Sequence, residues 1–488
     1  MERDEPVGGG ALAGELRRAL PGGPSEREAL AELIRRISHS RPPVSSLTRV
    51  WTLGSLQARV AAGYLAYWLR SQLADADQRT RLKTEANLAA ALKLFGTMGY
   101  LRGAVMKVGQ LLANLPGAVP EEFAEVLGAL HFQAPPMHYP LVREVFLDEF
   151  GREPEEVFAA FEPEAFAAAS LGQVHRARLP SGEEVVVKIQ YPGIARTIRA
   201  DLAALRALLQ PLRLTADGGR ALDKLNDAEQ MLLGETDYEQ EARFTREARA
   251  LFGPEDGVVV PRVYDGFSTR RVLTTEYLRG RHLPAYLGAG PTQEERDRFT
   301  HLLVLATIRP YYRTHWVFAD PHPGNFLFLD DGRLGLLDFG CIRVLTDEEW
   351  RRDVAIREAA VAGDEAGMDR GIAEACLFTD PIEMEPERLA AVRRNTYWQV
   401  EPWLTEGPFD FGDEAFFRRG IESLVALGRR RYTRSAPVYL WTARFLFGSR
   451  AVAYRLRGRC DFRELDRREA ARSEAGAAPA REGWRCSN

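Results

Sequence analysis

The sequence predicts an α+β fold in which a small, β-rich lobe is followed by a larger helical lobe. The chain has 488 residues, more than one hydrophobic core usually serves, so at least two packed units are expected. Strand patterns and turn residues cluster between about residues 166 and 277. Apolar residues at helical spacing then dominate to about residue 456.

Composition divides the chain into five segments. Residues 1–45 mix glycine, proline and charge and are expected to form a disordered arm. Residues 46–140 show helical spacing and are expected to form an extension that ends at a cluster of prolines. We predict the β-rich lobe at residues 141–278, the helical lobe at 279–465 and a flexible tail at 466–488.

Two pairs of strands are expected in the first lobe. Residues 173–179 and 184–190 alternate as strands do, and the Pro-Ser-Gly sequence at 180–182 is typical of a tight turn between them. Residues 258–264 and 271–277 are expected to form the second pair.

Charge and hydropathy exclude several classes of protein. The net charge of -4 argues against a nucleic-acid binder, which needs a basic surface. The acidic N-terminus does not resemble a secretory signal, and the four cysteines form no CxxC pair, so a cytoplasmic protein is expected. No transmembrane span is expected, because even the apolar segment 56–73 contains Arg59 and Arg70. That segment suits either a helix at a lipid interface or a helix packed on the body of the protein.

The strongest chemical signal lies in FADPHPGNFLFLDDGRLGLLDFG, residues 318–340. Asn325 follows Asp320 by five residues, the separation of the catalytic Asp and the Asn in protein kinases, and Asp338 opens a DFG sequence. Phosphoryl transfer needs a carboxylate that orients the acceptor, and Asn and Asp oxygens that hold Mg²⁺. Residues 326–329 and 333–337 are expected to form a hairpin that turns at residues 330–332 and holds the two metal ligands at one end. A lone DFG is usually only a loop, but the three residues together predict a protein-kinase-like site with Asp320 as the catalytic group and Asn325 and Asp338 as metal ligands.

A second signal lies upstream, where a kinase has a glycine-rich loop over the phosphates of ATP and a lysine on a later strand. Alanines stand at the first two glycine positions here, and Lys188 follows in a Val-Lys-Ile sequence. Alone, an alanine-rich turn before a lysine is more often structural, but its place before the DFG sequence favours nucleotide binding. The expected cofactor-binding residues of this segment are Ala167, Ala168, Ala169, Ser170, Gly172, Val174 and Lys188.

Two further segments complete the predicted site. Asp237 and Glu241 are expected on one face of a helix, and Glu241 is expected to form an ion pair with Lys188. Glu276 and Leu278 end a predicted strand, as in the hinge between kinase lobes, where backbone groups bind adenine. In isolation, the first segment would be interpreted as a solvated acidic face and the second as an edge strand.

With these motifs the chain resembles the UbiB-like, AarF-domain family of atypical protein-kinase-like proteins, over about residues 95–460. The most specific mark is KVGQ, Lys107 to Gln110, which is similar to the KxGQ motif of that family. The resemblance implies an atypical kinase-like bilobal fold with a helical KxGQ extension, in which Lys107 reaches toward Glu235 and Asp237. It also implies ATP and Mg²⁺ as cofactors and an association with ubiquinone and isoprenoid lipids.

Three features depart from the family pattern. Phe318 stands where many relatives have His, and Phe244 stands where many have Asn. The C-terminal membrane spans of some relatives have no counterpart, so any lipid contact is expected to be peripheral.

Two functions remain open at this point. The first is an Mg-ATP-dependent kinase or ATPase that acts on, or supports the metabolism of, an isoprenoid or quinone-like lipid rather than a protein. The second is a nucleotide-gated lipid-binding or scaffold protein without chemistry.

Overall fold

The computed structural model describes residues 137–169, 171–209, 226, 229, 232–319, 321–377, 386–429 and 437–475. These residues fall into two compact units. Pro136–Gly193 and Gln230–Asn488 belong to one unit, whereas the helix Ile194–Leu209 belongs to the other. The β-rich lobe predicted at residues 141–278 therefore draws on both units. The segment 56–73 lies outside the described residues.

The first lobe of the larger unit contains two helices, a sheet and one longer helix. The longer helix comes after the first four strands in the chain. The elements in chain order, with the helix of the other unit as α3, are α1 (Tyr139–Phe150), α2 (Pro154–Val157), β1 (Ala160–Phe161), β2 (Ala167–Ala169), β3 (Gly172–Arg178), β4 (Glu184–Gln190), α3 (Ile194–Leu209), α4 (Tyr238–Leu251), β5 (Val258–Val259) and β6 (Val272–Glu276).

The second lobe is mainly helical in the described residues. Its elements are β7 (Gly280–Arg281), α5 (Leu283–Gly288), α6 (Gln293–Thr314), β8 (Trp316–Phe318), β9 (Phe326–Leu329), β10 (Leu334–Leu336), β11 (Ile342–Val344), α7 (Asp347–Ala362), α8 (Glu365–Leu377), α9 (Pro386–Leu404), β12 (Phe409–Asp410), α10 (Glu414–Arg429), α11 (Pro437–Leu456), β13 (Arg459–Cys460) and α12 (Phe462–Ala475).

The sheet of the first lobe is antiparallel, in the order β1-β3-β4-β6, with β2 paired to β3. The predicted β3–β4 hairpin is confirmed. Its turn needs glycine, because Gly182 has φ of 100° and donates its N–H to the carbonyl of Leu179 at 2.9 Å. One face of the sheet packs Val187 and Ile189 against Phe146 of α1 and forms the core of this lobe.

The second predicted pair of strands forms only in part. Residues 258 and 259 pair in parallel with β10, in the other lobe, and one isolated bridge joins Val263 to Thr275 of β6. The pairing expected between these two segments is present at residues 262–264, where the N–H of Tyr264 donates to the carbonyl of Thr274 at 3.0 Å, and is wrong for residues 258 and 259. Strand β5 instead extends the sheet β5-β10-β9-β7, so this short strand connects the two lobes.

Helix α6 is the centre of the second lobe. It begins with a capping box, in which Thr292 accepts from the N–H of Glu295, and most of its second half is buried. Helix α9 contains Pro402, which has no N–H, so the carbonyl of Trp398 lacks its usual helical partner. The guanidinium of Arg450 in α11 donates to that carbonyl at 3.2 Å, which ties α9 to α11.

The C-terminal helix extends further than expected. Helix α12 ends at Ala475, and Glu469 within it is buried and forms an ion pair with Arg309 of α6 at 2.9 Å. The flexible tail predicted from residue 466 is therefore wrong for residues 466–475. In the part of the chain that the structure describes, no helix has both the length and the apolar character to cross a membrane.

Candidate functional site

The register of the first sheet places Lys188 on the face of the sheet that is opposite the core of the lobe. Lys188 in β4 lies directly opposite Val174 of β3, and cross-strand partners point to the same face of a sheet. Its sequence neighbours Val187 and Ile189 point to the other face and are fully buried. Alternation along β4 therefore brings Lys188 beside Val174, as expected of a lysine under a phosphate-binding loop.

The ammonium of Lys188 lies between two carboxylates. Its Nζ atom is 2.9 Å from Oε1 and 3.0 Å from Oε2 of Glu241, and 3.4 Å from Oδ2 of Asp338. The ring of Tyr238 lies 5.1 Å away and adds a cation–π contact. The ion pair that the sequence predicts between Lys188 and Glu241 is thus present, and it includes the DFG aspartate.

Burial and charge act against each other in this cluster. Burial opposes the charge of the Lys188 ammonium, but Asp338 and Glu241 outweigh it and hold the pKa of the lysine well above its ordinary value. Burial also raises the pKa of the Glu241 carboxyl to about 7, and Lys188 limits the rise. The carboxylate of Glu241 therefore depends on the lysine for its charge, and the lysine is held in place by it.

The turn before α4 differs from the expected helix. Asp237 is the N-cap of α4 and its carboxylate accepts from the N–H of Gln240 at 3.1 Å. The expectation that Asp237 and Glu241 share a helix face is wrong, because the helix begins only at Tyr238. Glu235 lies in the preceding turn and is buried, with 7% of its surface exposed. Lys107, expected to approach Glu235 and Asp237, lies outside the described residues.

The two expected metal ligands flank the β9–β10 hairpin, which forms as predicted. The N–H of Leu337 donates to the carbonyl of Asn325 at 3.0 Å, so Asn325 and Asp338 leave the hairpin at the same end. Oδ1 of Asp338 accepts from the N–H of Gly340 at 2.9 Å. A Cβ at Gly340 would lie 3.2 Å from Oε2 of Glu241, so glycine permits the close approach of the DFG turn to that carboxylate.

This donor set fits Mg²⁺. The ion is usually held by one or two carboxylates, with substrate phosphates and water completing its coordination. Asp338 offers one carboxylate and Asn325 one amide oxygen, both hard ligands. Among the described residues, no group of three His, Cys, Asp or Glu side chains is arranged to hold a metal ion.

The alanine segment is a strand rather than a loop. Residues 167–169 form β2, and Ala169 pairs with Gly172 across the turn to β3. Gly172 is required for a steric reason, because a Cβ there would lie 2.0 Å from the carbonyl oxygen of Ile189. The side chain of Ala168 and the whole of Ser170, both expected to bind the cofactor, lie outside the described part of the chain.

The two residues of the predicted hinge differ in what they can offer to a base. The N–H of Glu276 donates to the carbonyl of Arg262 at 2.9 Å, so this residue can offer only its own carbonyl. The side chain of Leu278 lies against Gly335 of β10, where an added Cβ would be 3.2 Å from Cδ1 of the leucine. Leu278 thus reaches the hairpin that carries the expected metal ligands.

The expected catalytic Asp320 lies outside the described residues, but its neighbours on both sides are described. The N–H of Ala319 donates to the carbonyl of Cys341 at 2.9 Å, which joins this loop to the residue after the DFG sequence. Pro321 packs on Gly448 of α11, where a Cβ would lie 2.2 Å from Cγ of the proline. Sequence motifs offered no sign of Gly448, because it is distant along the chain.

Two of the departures from the family pattern have a packing explanation. Phe318 lies 6.0 Å from Phe339 of the DFG sequence and 6.4 Å from Phe445 of α11, measured between ring centroids. Phe244 of α4 packs edge-on against Trp316 of β8 at 5.1 Å. Apolar rings therefore join the strand before Asp320 both to the DFG turn and to the helix that carries Glu241. The sequence contains these residues, but their partners could not be read from it.

Comparisons with known proteins find relatives among the atypical kinases. A family model described as the ABC1 atypical kinase-like domain matches residues 129–371. Atypical kinase COQ8B, mitochondrial, of Rattus norvegicus is 28% identical, over 90% of this chain and 82% of that protein. AarF domain-containing protein kinase 1 of Xenopus laevis is 31% identical, over 61% of this chain and 58% of that protein.

A solved structure is also similar. The complex of Rv3197 with erythromycin, from Mycobacterium tuberculosis, has 27% sequence identity and a TM-score of 0.52, and the match covers 80% of this chain and 97% of that one. On the motifs, the fold and these matches, the chain belongs to the UbiB-like, AarF-domain family of atypical kinases and has the protein-kinase-like fold.

Proposed function

We propose that this chain is an Mg-ATP-dependent atypical kinase or ATPase of the UbiB type. The observation that carries the proposal is the position of the Lys188 ammonium, which touches Glu241 and lies 3.4 Å from Asp338. A lysine held by one carboxylate and placed beside a second, metal-binding one is the arrangement that positions the phosphates of ATP in kinases.

Each residue has a role in this proposal. Lys188 binds the α- and β-phosphates, and Glu241 keeps the lysine extended toward them. Asn325 and Asp338 would hold Mg²⁺, which neutralises charge on the phosphates when it is bound. Asp320 orients the acceptor, and the alanines of β2 with Gly172 and Val174 cover the phosphates. Glu235, Asp237 and Lys107 would act together in catalysis, as the family resemblance implies.

For the acceptor, we propose an isoprenoid or quinone-like lipid, either as substrate or as the product of a pathway that the ATPase supports. The support is the family resemblance and the relatives named as atypical kinases. We propose a cytoplasmic protein with a peripheral contact to the membrane. A protein substrate is disfavoured, because no APE sequence follows the DFG sequence.

A second candidate is nucleotide-gated binding of a hydrophobic molecule without phosphoryl transfer. The similar solved protein was determined in complex with erythromycin, which favours a binding role for that relative. The two candidates differ in one respect only, since the first consumes ATP and the second only binds it.

Hydrolysis of Mg-ATP by the purified protein, with and without anionic lipid vesicles, separates them. Turnover that rises with vesicles and is lost in Lys188→Ala is expected. Nucleotide binding with no turnover under either condition would favour the second candidate. No binding of Mg-ATP at all would overturn the proposal. Arg178→Ala is the matched control, because this exposed arginine lies on β3 and outside the proposed site.

A further inference from the structure

A cavity of about 440 Å³ lies between helices α6 and α12 and the turn that follows α4. None of the described residues of the proposed nucleotide site lines it. Its volume falls in the range of pockets that hold small molecules, about 300–1,000 Å³. The cavity is therefore large enough for a ligand of its own.

The helical repeat determines which side chains line this cavity. Along α6 the lining residues follow one another at intervals of four, so each is the neighbour of the next on the helix surface. Those of α12 are three or four positions apart. The two sets are His301, Leu305, Arg309 and Arg313 on α6, and Leu465, Arg468, Glu469 and Arg472 on α12. Four arginines therefore line one space, two from each helix.

Arg309, in the buried part of the cavity, is neutralised within the protein. Only 5% of its side chain is exposed, and its guanidinium lies 2.5 Å from Asp256 and 2.9 Å from Glu469. It donates to the two carboxylate oxygens of Glu469 through Nε and Nη2, each at 2.9 Å. This one arginine thus occupies both of the partly or fully buried carboxylates of the lining.

The other three arginines are exposed and have no such partner. Among the described residues, Arg313 and Arg468 have no carboxylate within 4 Å. Arg472 lies 3.2 Å from Oε1 of Glu469, an oxygen that already accepts from Arg309. The mouth of the cavity therefore has an excess of positive charge that the described part of the protein does not neutralise.

A neutral imidazole lies beside these cations. Burial lowers the pKa of His301, and the Arg468 cation lowers it further, which shows that the two side chains are close. Nδ1 of His301 lies 3.8 Å from Sγ of Cys460, so Nε2 is the nitrogen left for a ligand. A neutral imidazole can donate or accept one hydrogen bond there.

The arginines and the surrounding surface indicate the chemistry of the ligand. Guanidinium groups bind phosphate through paired N–H groups, so several of them at one opening favour a phosphate. A lipid headgroup would also offer a phosphate, but binding at a bilayer usually needs apolar side chains that insert into it. Among the described residues, none of the exposed large apolar side chains lines this cavity. The charge and the surface together favour a soluble ligand.

We propose that this cavity binds a soluble phosphorylated small molecule, whose phosphate is held by Arg313, Arg468 and Arg472. Arg309 stays paired with Glu469 beneath it, and the apolar side chains of Leu305 and Leu465 contact the rest of the ligand. This site is separate from the one that contains Lys188, so the inference does not rest on the proposed function.

The test is calorimetric titration with sodium pyrophosphate in EDTA, on full-length Lys188→Ala, in which the proposed nucleotide site is disabled. Adding Arg313→Gln and Arg468→Gln should weaken the binding of pyrophosphate by about tenfold or more, the scale of one lost charge-assisted hydrogen bond. The matched control adds Arg178→Gln and Arg418→Gln, which remove the same charge from two exposed arginines outside the cavity and should leave binding unchanged.

If Lys188→Ala does not fold, the same two pairs of substitutions are compared in the otherwise unchanged chain. The pair at the cavity should again weaken binding, and the control pair should not. Equal loss in the two pairs would show only a general effect of charge and overturn the inference. Binding that is unchanged in Arg313→Gln/Arg468→Gln, or no binding of pyrophosphate at all, would overturn it as well.

Sedimentation with vesicles that contain phosphatidic acid distinguishes the two sources of phosphate. We expect any sedimentation of the chain to be the same in the wild type and in Arg313→Gln/Arg468→Gln. Sedimentation that is lost in this variant, in a chain that does not bind pyrophosphate, would show a headgroup site and overturn the soluble ligand. None of these results bears on the proposed function, which hydrolysis of Mg-ATP tests separately.

Discussion

Lys188 donates to both carboxylate oxygens of Glu241, at 2.9 and 3.0 Å, although the two residues are 53 positions apart in the sequence. Only 3% of the Glu241 side chain is exposed. Removing one partner from a buried pair leaves the other charge uncompensated, which is costly. Substitution of Lys188 should therefore lower the rate of Mg-ATP hydrolysis more than substitution of Glu241, because only Lys188 would touch the nucleotide.

We expect Lys188→Ala to lower the rate of Mg-ATP hydrolysis by about a hundredfold or more, the scale of losing a charged group at a phosphate. Glu241→Gln should lower it less, by about tenfold, because the amide can still accept from the lysine. Steady-state hydrolysis of both variants, with circular dichroism as the check on folding, measures the difference. Wild-type turnover in a folded Lys188→Ala protein would refute the assignment.

Asp338→Asn should weaken the binding of Mg-nucleotide while the fold is retained. The asparagine keeps an oxygen that can accept from the N–H of Gly340, as Oδ1 of Asp338 does at 2.9 Å, but it removes the charge. A ligand at a hundred times its Kd stabilises a protein by about 2.7 kcal/mol, so a weaker ligand gives a smaller rise in Tm. An unchanged thermal shift by Mg-ATP would argue against the metal role, and the shift without Mg²⁺ is the control.

Gly448→Ala should disturb the catalytic loop from a distance. Its added Cβ would lie 2.2 Å from Cγ of Pro321, the residue after the expected catalytic aspartate. Overpacking of this kind costs about 1–3 kcal/mol, so both Tm and hydrolysis should fall. Gly266→Ala is the matched control, because its added Cβ meets no atom within 4 Å. Equal activity of the two variants would show that the loop adapts without loss.

The first lobe should lose stability in acid through His175. Burial lowers the pKa of this imidazole, which is fully buried, with Nδ1 at 2.7 Å from the carbonyl of Glu162. Because the folded pKa is the lower one, the unfolded chain binds more protons below its own value of about 6.5. The contribution to stability is therefore present above that pH and is lost as the pH falls through the folded pKa.

The measurement is the free energy of unfolding in urea at pH 7.5 and pH 5.5. His175→Asn should show a smaller drop than the wild type, because the asparagine does not titrate in this range. Burial likewise lowers the pKa of His301 and of His315, so part of the drop should remain. Identical drops in the two proteins would mean that His175 titrates alike in both states.

Local patterns determine the parts of the structure that the sequence predicts correctly. The β3–β4 and β9–β10 hairpins follow from alternation and from glycine turns, and the ion pair of Lys188 with Glu241 follows from motif order. Pairing between distant segments is not predicted by such patterns. Residues 258 and 259 pair with β10 rather than with β6, and no local pattern specifies that choice.

The same limit applies within the site. Asp237 lies at the spacing of a helix face, but an aspartate is also a good N-cap, and capping determines where α4 begins. Gly172 fits a phosphate loop and equally fits a close approach of strands, which the distance to Ile189 decides. The contacts of Arg176 with the rings of Phe166 and Tyr277 could not be read from the sequence, because the two rings are separated by more than a hundred residues.

Both ends of helix α4 are bound to residues of other elements. Its first turn carries Glu241 in the pair with Lys188, and the carbonyl of Leu251, its last residue, accepts from the buried guanidinium of Arg309 at 3.1 Å. A swing of this helix would break both attachments and expose two charged groups at once. The position of Glu241, and with it that of Lys188, therefore depends also on Arg309 at the far end of the same helix.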